Sequence, residues 1–156
     1  EKVMPLVEAY TRNYVYGPED TSLKEVPFMF KVGRFILSGK VDRLELCDDV
    51  ANIFDFKTDD VLDFKVDSNA MMYEAQVKAY SVAVWRNYKP QKVMTRLHFL
   101  KPDKCSDMEF VEKDISNAER FILDTLEGVE SASMANTEIR KCDYCKECAY
   151  SVLCDI

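Results

Sequence analysis

The order of apolar patterns along this chain predicts an α/β domain, a mixed central β-sheet flanked by helices. Three observations carry that expectation. Two alternating segments meet at Gly33-Arg34, as in a hairpin of two strands. A long helical pattern over Ala70–Tyr88 then falls between strand patterns, and strands followed by helix, strand and helix suit a mixed sheet with helices packed on it. Finally, 156 residues with 47% hydrophobic and 31% charged side chains allow a single globular domain, residues 1–156, to bury a core without disulfide staples.

Taken in order, residues 2–16 read as a helix with Val3, Leu6, Val7, Tyr10 and Tyr14 on one face, broken by Gly17-Pro18-Glu19-Asp20. Val26–Val32 and Phe35–Leu46 form the hairpin, Cys47-Asp48-Asp49 is turn-like, and Ala51–Thr58 is a third strand. Asp59–Asn69 shows no strong period and reads as a polar loop. The Ala70–Tyr88 helix presents Met72, Ala75, Ala79, Val82, Val84 and Trp85 as a broad apolar surface, with Pro90 just past its end. Val93–Leu100 is a further strand closed by Pro102, and Met108–Val111 is its hairpin partner. Asp114 or Ser116 caps a helix through Phe121, Ile122 and Leu126, and a polar segment, Ser131–Thr137, leads into a cysteine-rich tail.

The net charge of −7 argues against the broad electrostatic grip of a basic nucleic-acid-binding domain. It is compatible with an acidic, metal-bridged site whose nucleic acid is held by basic partner domains. Apolar runs such as Phe35-Ile36-Leu37 are far too short to span a bilayer, and no leader pattern opens the chain, so the expected location is the cytoplasm, away from membranes. A start at Glu1 rather than Met reads as a piece of a longer polypeptide. Four of the six cysteines, Cys142, Cys145, Cys148 and Cys154, crowd the C-terminus in two consecutive C-x2-C steps, which favours metal ligation over a disulfide framework. By spacing alone, four close thiolates fit a structural zinc ion at least as well as an iron–sulfur cluster. Cys47 and Cys105 stand alone, and burial as free thiols is the default for such residues.

Residues two apart in a strand face the same side, so Asp55 and Lys57 project together while Phe54 and Phe56 point into the opposite layer. Asp42, on the preceding strand, can approach them. Two carboxylates and a lysine at one sheet edge suit phosphodiester hydrolysis. The carboxylates can hold Mg²⁺, a cation with hard oxygen ligands, and the lysine can orient water or offset transition-state charge. Asp-x-Lys on a strand is also common as a solvated face with a weak ion pair. Gln76 and Tyr80, four apart, share one helical face and could equally be a half-buried polar pair. His98, in an apolar strand, reads as structural.

Together, Gly39-Lys40-Val41-Asp42-Arg43-Leu44, Ile53-Phe54-Asp55-Phe56-Lys57-Thr58 and Gln76-Val77-Lys78-Ala79-Tyr80 resemble the G-x-x-D-R-[IL], D-[FY]-K-T and Q-x3-Y motifs of the RecB-like nuclease branch of the PD-(D/E)xK superfamily. That branch includes the nuclease domains of UvrD- and RecB-type helicase-nucleases, AddB and the CRISPR-associated adaptation exonucleases. The resemblance spans about residues 24–154 and implies a restriction-endonuclease-like core. It implies a DNA nuclease dependent on Mg²⁺ or Mn²⁺, acting as an exonuclease on DNA ends and joined to or partnered with a helicase in recombination or repair. In that pattern Asp42 and Asp55 are metal ligands, Phe56 lends a backbone carbonyl, Lys57 is catalytic, and Gln76 and Tyr80 line the DNA channel. Members usually carry a further His or Glu on an upstream helix. Glu8, and Glu25 in the E-x2-F-like Glu25-Val26-Pro27-Phe28, are not clear replacements for it. Cys145-x2-Cys148-x5-Cys154 is similar to the C-terminal signature of the iron–sulfur members, which implies a [4Fe–4S] cluster with Cys142 or an upstream cysteine as fourth ligand. Two other readings compete: a non-catalytic DNA-binding or scaffolding module that keeps the fold, and a sequence-specific restriction-type endonuclease, which the cysteine tail and Gln-x3-Tyr disfavour.

Overall fold

A computed structural model describes residues 3–14, 22–59 and 65–131. Its elements are α1 (Met4–Asn13), β1 (Leu23–Val32), β2 (Phe35–Cys47), β3 (Val50–Lys57), α2 (Val66–Ala70), a 3₁₀ turn (Met71–Tyr73), α3 (Glu74–Tyr88), β4 (Lys92–Phe99), β5 (Lys104–Phe110) and α4 (Glu112–Ser131). The five strands form one mixed sheet in the order β1-β2-β3-β4-β5. All neighbours are antiparallel except β3 and β4, which run parallel. Parallel neighbours need a crossover rather than a hairpin, and the segment containing α2 and α3 provides it. The expected mixed sheet with helices is therefore present. The expected C-terminal cluster at residues 142–154 lies outside the described residues, as does the break at residues 17–20.

Pairing sorts the two sheet faces. Ala51, Ile53, Asp55 and Lys57 of β3 stand beside Val93, Thr95, Leu97 and Phe99 of β4. This face packs on α3: Ser81 Oγ lies 3.1 Å from Thr95 Oγ1, and Val77, Tyr80, Val82, Ala83 and Val84 are buried. Leu44, Ile53, Leu97 and Phe99 are wholly removed from water, each contributing about 1.5–3 kcal/mol of burial. The apolar face expected of this helix is displaced, because Met72 is 54% exposed and Ala75 is also exposed. Helix α4 takes up a second side of α3, with Lys78 over the Phe121 ring and Arg86 paired to Glu119.

The reverse face carries Phe54, Phe56 and His98, against which Tyr10 of α1 and Tyr14 at its C-terminal cap make tilted and edge-on ring contacts. Helix α1 is shorter than expected, and Val3 and Val7 are exposed while Ala9 and Tyr14 are buried. Aromatic contacts, not the aliphatic stripe, select its inner face. Its C-terminal end is tied to the β4–β5 turn, where Asp103 accepts hydrogen bonds from Arg12 and Asn13.

Smaller corrections have local causes. Part of the expected polar loop is the helix α2, whose Val66 and Ala70 are four apart and both buried. Cys47 and Cys105 are exposed rather than buried, at the end of β2 and on edge strand β5. At the β1–β2 hairpin Gly33 takes φ +55°, a conformation glycine adopts without steric cost, and a Cβ there would stand 2.6 Å from Leu123 Cδ1. Asp114 caps α4 by accepting the Val111 N–H from the third helical position, as in a capping box, whereas the Ser116 hydroxyl bonds the Glu112 carbonyl. Residues 1–124 form one compact unit and residues 125–156 a second, whose described part is the C-terminal end of α4. No helix among the described residues is long and apolar enough to cross a membrane.

Candidate active site

Asp42 sits where two strand ladders are interrupted. The β2–β3 pairing ends at Arg43 and Phe54, and the same register sets Asp42 opposite Asp55 just past that end. There the Phe56 N–H donates to Asp42 Oδ2 at 2.9 Å, so a side chain replaces the missing backbone partner. On the other side, β1 pairs Lys24 with Arg43 and Val26 with Val41 but skips Glu25, whose φ is +52°. A left-handed non-glycine residue inside a strand costs about 1–2 kcal/mol, and it persists only where its surroundings over-determine it.

Asp55 is buried, with 2% of its surface exposed. Burial raises its pKa above the ordinary carboxylate range; Lys57 pulls the other way, and the charges of Asp42 and Asp59 push it further up. Lys57 Nζ lies 2.6 Å from Asp55 Oδ2, yet that oxygen receives no hydrogen bond of good direction. The ammonium nonetheless occupies one side of Asp55 Oδ2 and favours the ionised carboxylate against burial.

The ammonium of Lys57 is held from two further sides. It donates to Gln76 Oε1 at 2.7 Å and lies 4.0 Å from the centre of the Tyr73 ring. Because lysine only donates, this contact fixes the amide orientation of Gln76. Its Nε2 then donates to Tyr80 Oη at 2.7 Å and approaches Asp55 Oδ1 at 3.4 Å. Tyr80 is nearly buried, behind Gln76, and burial raises its pKa, so the phenol stays protonated at neutral pH. Phe28 meets Tyr80 edge-on, ring centres 5.6 Å apart. The Phe28 ring covers Gly39, where a Cβ would come within 2.7 Å of Phe28 Cζ.

Asp42, Asp55, Lys57, Gln76 and Tyr80 thus come together from β2, β3 and α3. Tyr73 and Asp59 join them without having been singled out in the sequence, Tyr73 donating its phenol to Asp59 Oδ2 at 2.8 Å. Tyr73 lies one helical turn before Gln76 and Asp59 two residues after Lys57, the signals that could have found them. Glu8 is exposed on α1, the helix of the reverse face. His98 is fully buried on that reverse face, between Tyr14 Oη at 3.1 Å and Asp103 Oδ1 at 3.0 Å. Cys142, Cys145, Cys148 and Cys154 lie outside the described residues.

Among the described residues, no group of three or more His, Cys, Asp or Glu side chains is arranged to hold a metal ion. The two opposed carboxylates still suit Mg²⁺ or Mn²⁺. Asp55 Oδ2 is a buried oxygen whose close contact is the Lys57 ammonium rather than a neutral donor, and Mg²⁺ needs only one or two protein carboxylates because it keeps most of its waters. A cavity of about 480 Å³, lined by Pro5, Leu6, Thr58 and Lys101, does not include the carboxylate pair. The chemistry points to the carboxylates rather than to that hollow, where Lys101 is the one ionisable side chain among the described lining residues.

Residues 4–155 match the sequence profile of the PD-(D/E)XK nuclease superfamily. Among solved structures, the protein SSO0001 is 20% identical with a TM-score of 0.56, covering 97% of this chain and 69% of its own. A protein from Eubacterium rectale described as a candidate exonuclease is 15% identical with a TM-score of 0.54, covering 94% of this chain and 59% of its own. At these identities the likeness concerns the fold. No curated protein matches the chain.

Proposed function

We infer that this chain, which belongs to the PD-(D/E)XK nuclease superfamily, hydrolyses phosphodiester bonds of DNA with a divalent cation, Mg²⁺ or Mn²⁺. The observation that carries this reading is the buried Asp55 carboxylate facing Asp42 across the end of the β2–β3 ladder, with the Lys57 ammonium 2.6 Å from its Oδ2. Asp42, Asp55 and the Phe56 carbonyl would hold the cation. When bound, such a cation polarises a phosphoryl oxygen and eases the deprotonation of water. Lys57 offers its ammonium to the negative charge that builds on the phosphate in the transition state. Gln76 holds that ammonium in place, and Tyr80 holds Gln76.

The motif set around these residues further supports exonuclease action on DNA ends, alongside a helicase. A titration of Mg²⁺ and Mn²⁺ against end-labelled linear and closed circular DNA, single- and double-stranded, tests this. Metal-dependent loss of linear substrate only is the expected result. Binding without cleavage at any metal concentration would favour the scaffolding alternative, and cutting of closed circles an endonuclease.

For the tail, we propose that Cys142, Cys145, Cys148 and Cys154 bind a structural [4Fe–4S] cluster, on the likeness of their spacing to the iron–sulfur nucleases. Anaerobic purification should yield a brown protein absorbing at about 400 nm. A colourless preparation with stoichiometric zinc would assign the same thiolates to a zinc clamp.

A further inference from the structure

We propose that Tyr73 is a positioning residue whose aromatic ring holds the Lys57 ammonium in its working orientation, a role that rests on the reading of Lys57 as catalytic. The ammonium lies 4.0 Å from the ring centre, well within the range where a cation is attracted to the face of an aromatic quadrupole. Two other contacts, to Asp55 Oδ2 at 2.6 Å and Gln76 Oε1 at 2.7 Å, leave a side of Nζ, and among the described residues it is the Tyr73 ring that takes it.

The ring is itself held at several points. Its phenol donates to Asp59 Oδ2 at 2.8 Å, two residues beyond Lys57 on the chain leaving β3. Burial and this bond push the Tyr73 pKa up to about 12, so the phenol remains a donor throughout the working pH range. The Phe99 ring lies 6.2 Å away, on the β4 residue paired with Lys57. Tyr73 ends the 3₁₀ turn that feeds α3, so the turn that starts the helix carrying Gln76 also sets the ring over Lys57.

An aromatic ring suits this place better than a third oxygen. Asp42, Asp55 and Asp59 already crowd the site with negative charge, Asp42 opposite Asp55 and Asp59 bound to the Tyr73 phenol. Another carboxylate would add to that repulsion and compete for the cation. A ring steadies the ammonium without offering a metal ligand, so Lys57 keeps its charge and direction while the carboxylates stay open to the metal.

The test uses the full chain with Mg²⁺ and an end-labelled linear oligonucleotide. Tyr73→Leu should lower kcat about tenfold, equivalent to ~1.4 kcal/mol in the barrier, with KM and melting temperature close to wild type. Tyr73→Phe, which keeps the ring and loses the phenol, should restore kcat to within about twofold. Progressively fluorinated phenylalanines at position 73 keep the shape and withdraw ring electron density, so kcat should fall step by step along the series. A flat fluorination series, or a folded Tyr73→Leu protein with wild-type kcat, overturns the proposal. Lys57→Ala cleaving at the wild-type rate would instead overturn the catalytic reading on which the proposal rests.

Discussion

Lys57→Ala leaves Asp55 buried beside two other acids with its counter-charge gone, and the cost can be worked from the burial of the pair. The side chains of Lys57 and Asp55 are 12% and 3% exposed, so solvent screens their attraction little. Removing one partner of such a buried pair costs about 3–5 kcal/mol. Asp55 can escape part of that cost by protonation, since its folded-state pKa is already raised above 3.8, and we take about 3 kcal/mol as the working value in metal-free buffer at pH 8. At about 2–4 °C per kcal/mol for a domain of this size, the melting temperature should fall by roughly 6–12 °C. The sign of the pH dependence follows from linkage. A carboxylate whose folded pKa lies above its unfolded value contributes stability that is present below the unfolded pKa and lost as pH rises through the folded one. The variant lacks the ammonium that limits this rise, so its deficit should shrink toward acid pH and widen toward alkaline pH. Divalent cation should narrow it, because a cation between the carboxylates takes over the ammonium's charge; at about 100 times its Kd a ligand adds about 2.7 kcal/mol. Thermal melts of wild type and variant, in EDTA and in Mg²⁺ at acid and alkaline pH, measure all of this. A melting temperature within about 2 °C of wild type in EDTA at pH 8 would refute the electrostatic argument.

Asp55→Asn removes the other partner of the same pair. The neutral amide is spared the burial penalty of the carboxylate, but the Lys57 ammonium keeps, among the described residues, only Gln76 Oε1 and the Tyr73 ring. The variant should therefore melt below wild type in EDTA by less than Lys57→Ala does, lose its stabilisation by Mg²⁺, and cleave at less than about one-hundredth of the wild-type rate. Tyr80→Phe removes only the hydroxyl that accepts the Gln76 amide; we expect about 1 kcal/mol lower stability and a several-fold lower kcat, checked by denaturant melts beside cleavage assays. Gly39→Ala drives a methyl against the Phe28 ring that supports Tyr80, costing about 1–3 kcal/mol, and Phe28→Leu in the same chain should recover part of that loss in a double-mutant cycle.

Much of the site could be read from local pattern. Strand alternation sets Asp55 and Lys57 on one face and Phe54 and Phe56 on the other, and the pairing of β3 with β4 keeps that division. Helical spacing puts Gln76 and Tyr80 on one side of α3, where their side chains bond each other. The contact between Tyr73, Asp59 and Lys57 could not be read from pattern alone. Tyr73 lies in the helical pattern one turn before Gln76 and Asp59 two residues past the end of β3, so spacing places both near the site, but only the fold around Lys57 sets the ring over its ammonium and the phenol on Asp59. The same limit explains Cys47 and Cys105, whose exposure depends on strand position and not on residue type.

By itself, then, the sequence determined which residues are candidates for the site and which strands and helices carry them, because backbone period and side-chain type act over a few residues at a time. Tertiary structure decided which face of each element is buried. Val3 and Val7 lost to the tyrosines of α1 because Phe54, Phe56 and His98 offered ring contacts on the reverse face. It also decided that β3 and β4 run parallel, which sets Asp55 and Lys57 beneath the crossover helix α3 and within reach of Gln76. These outcomes depend on contacts between residues far apart in the chain, whose energies no local window contains.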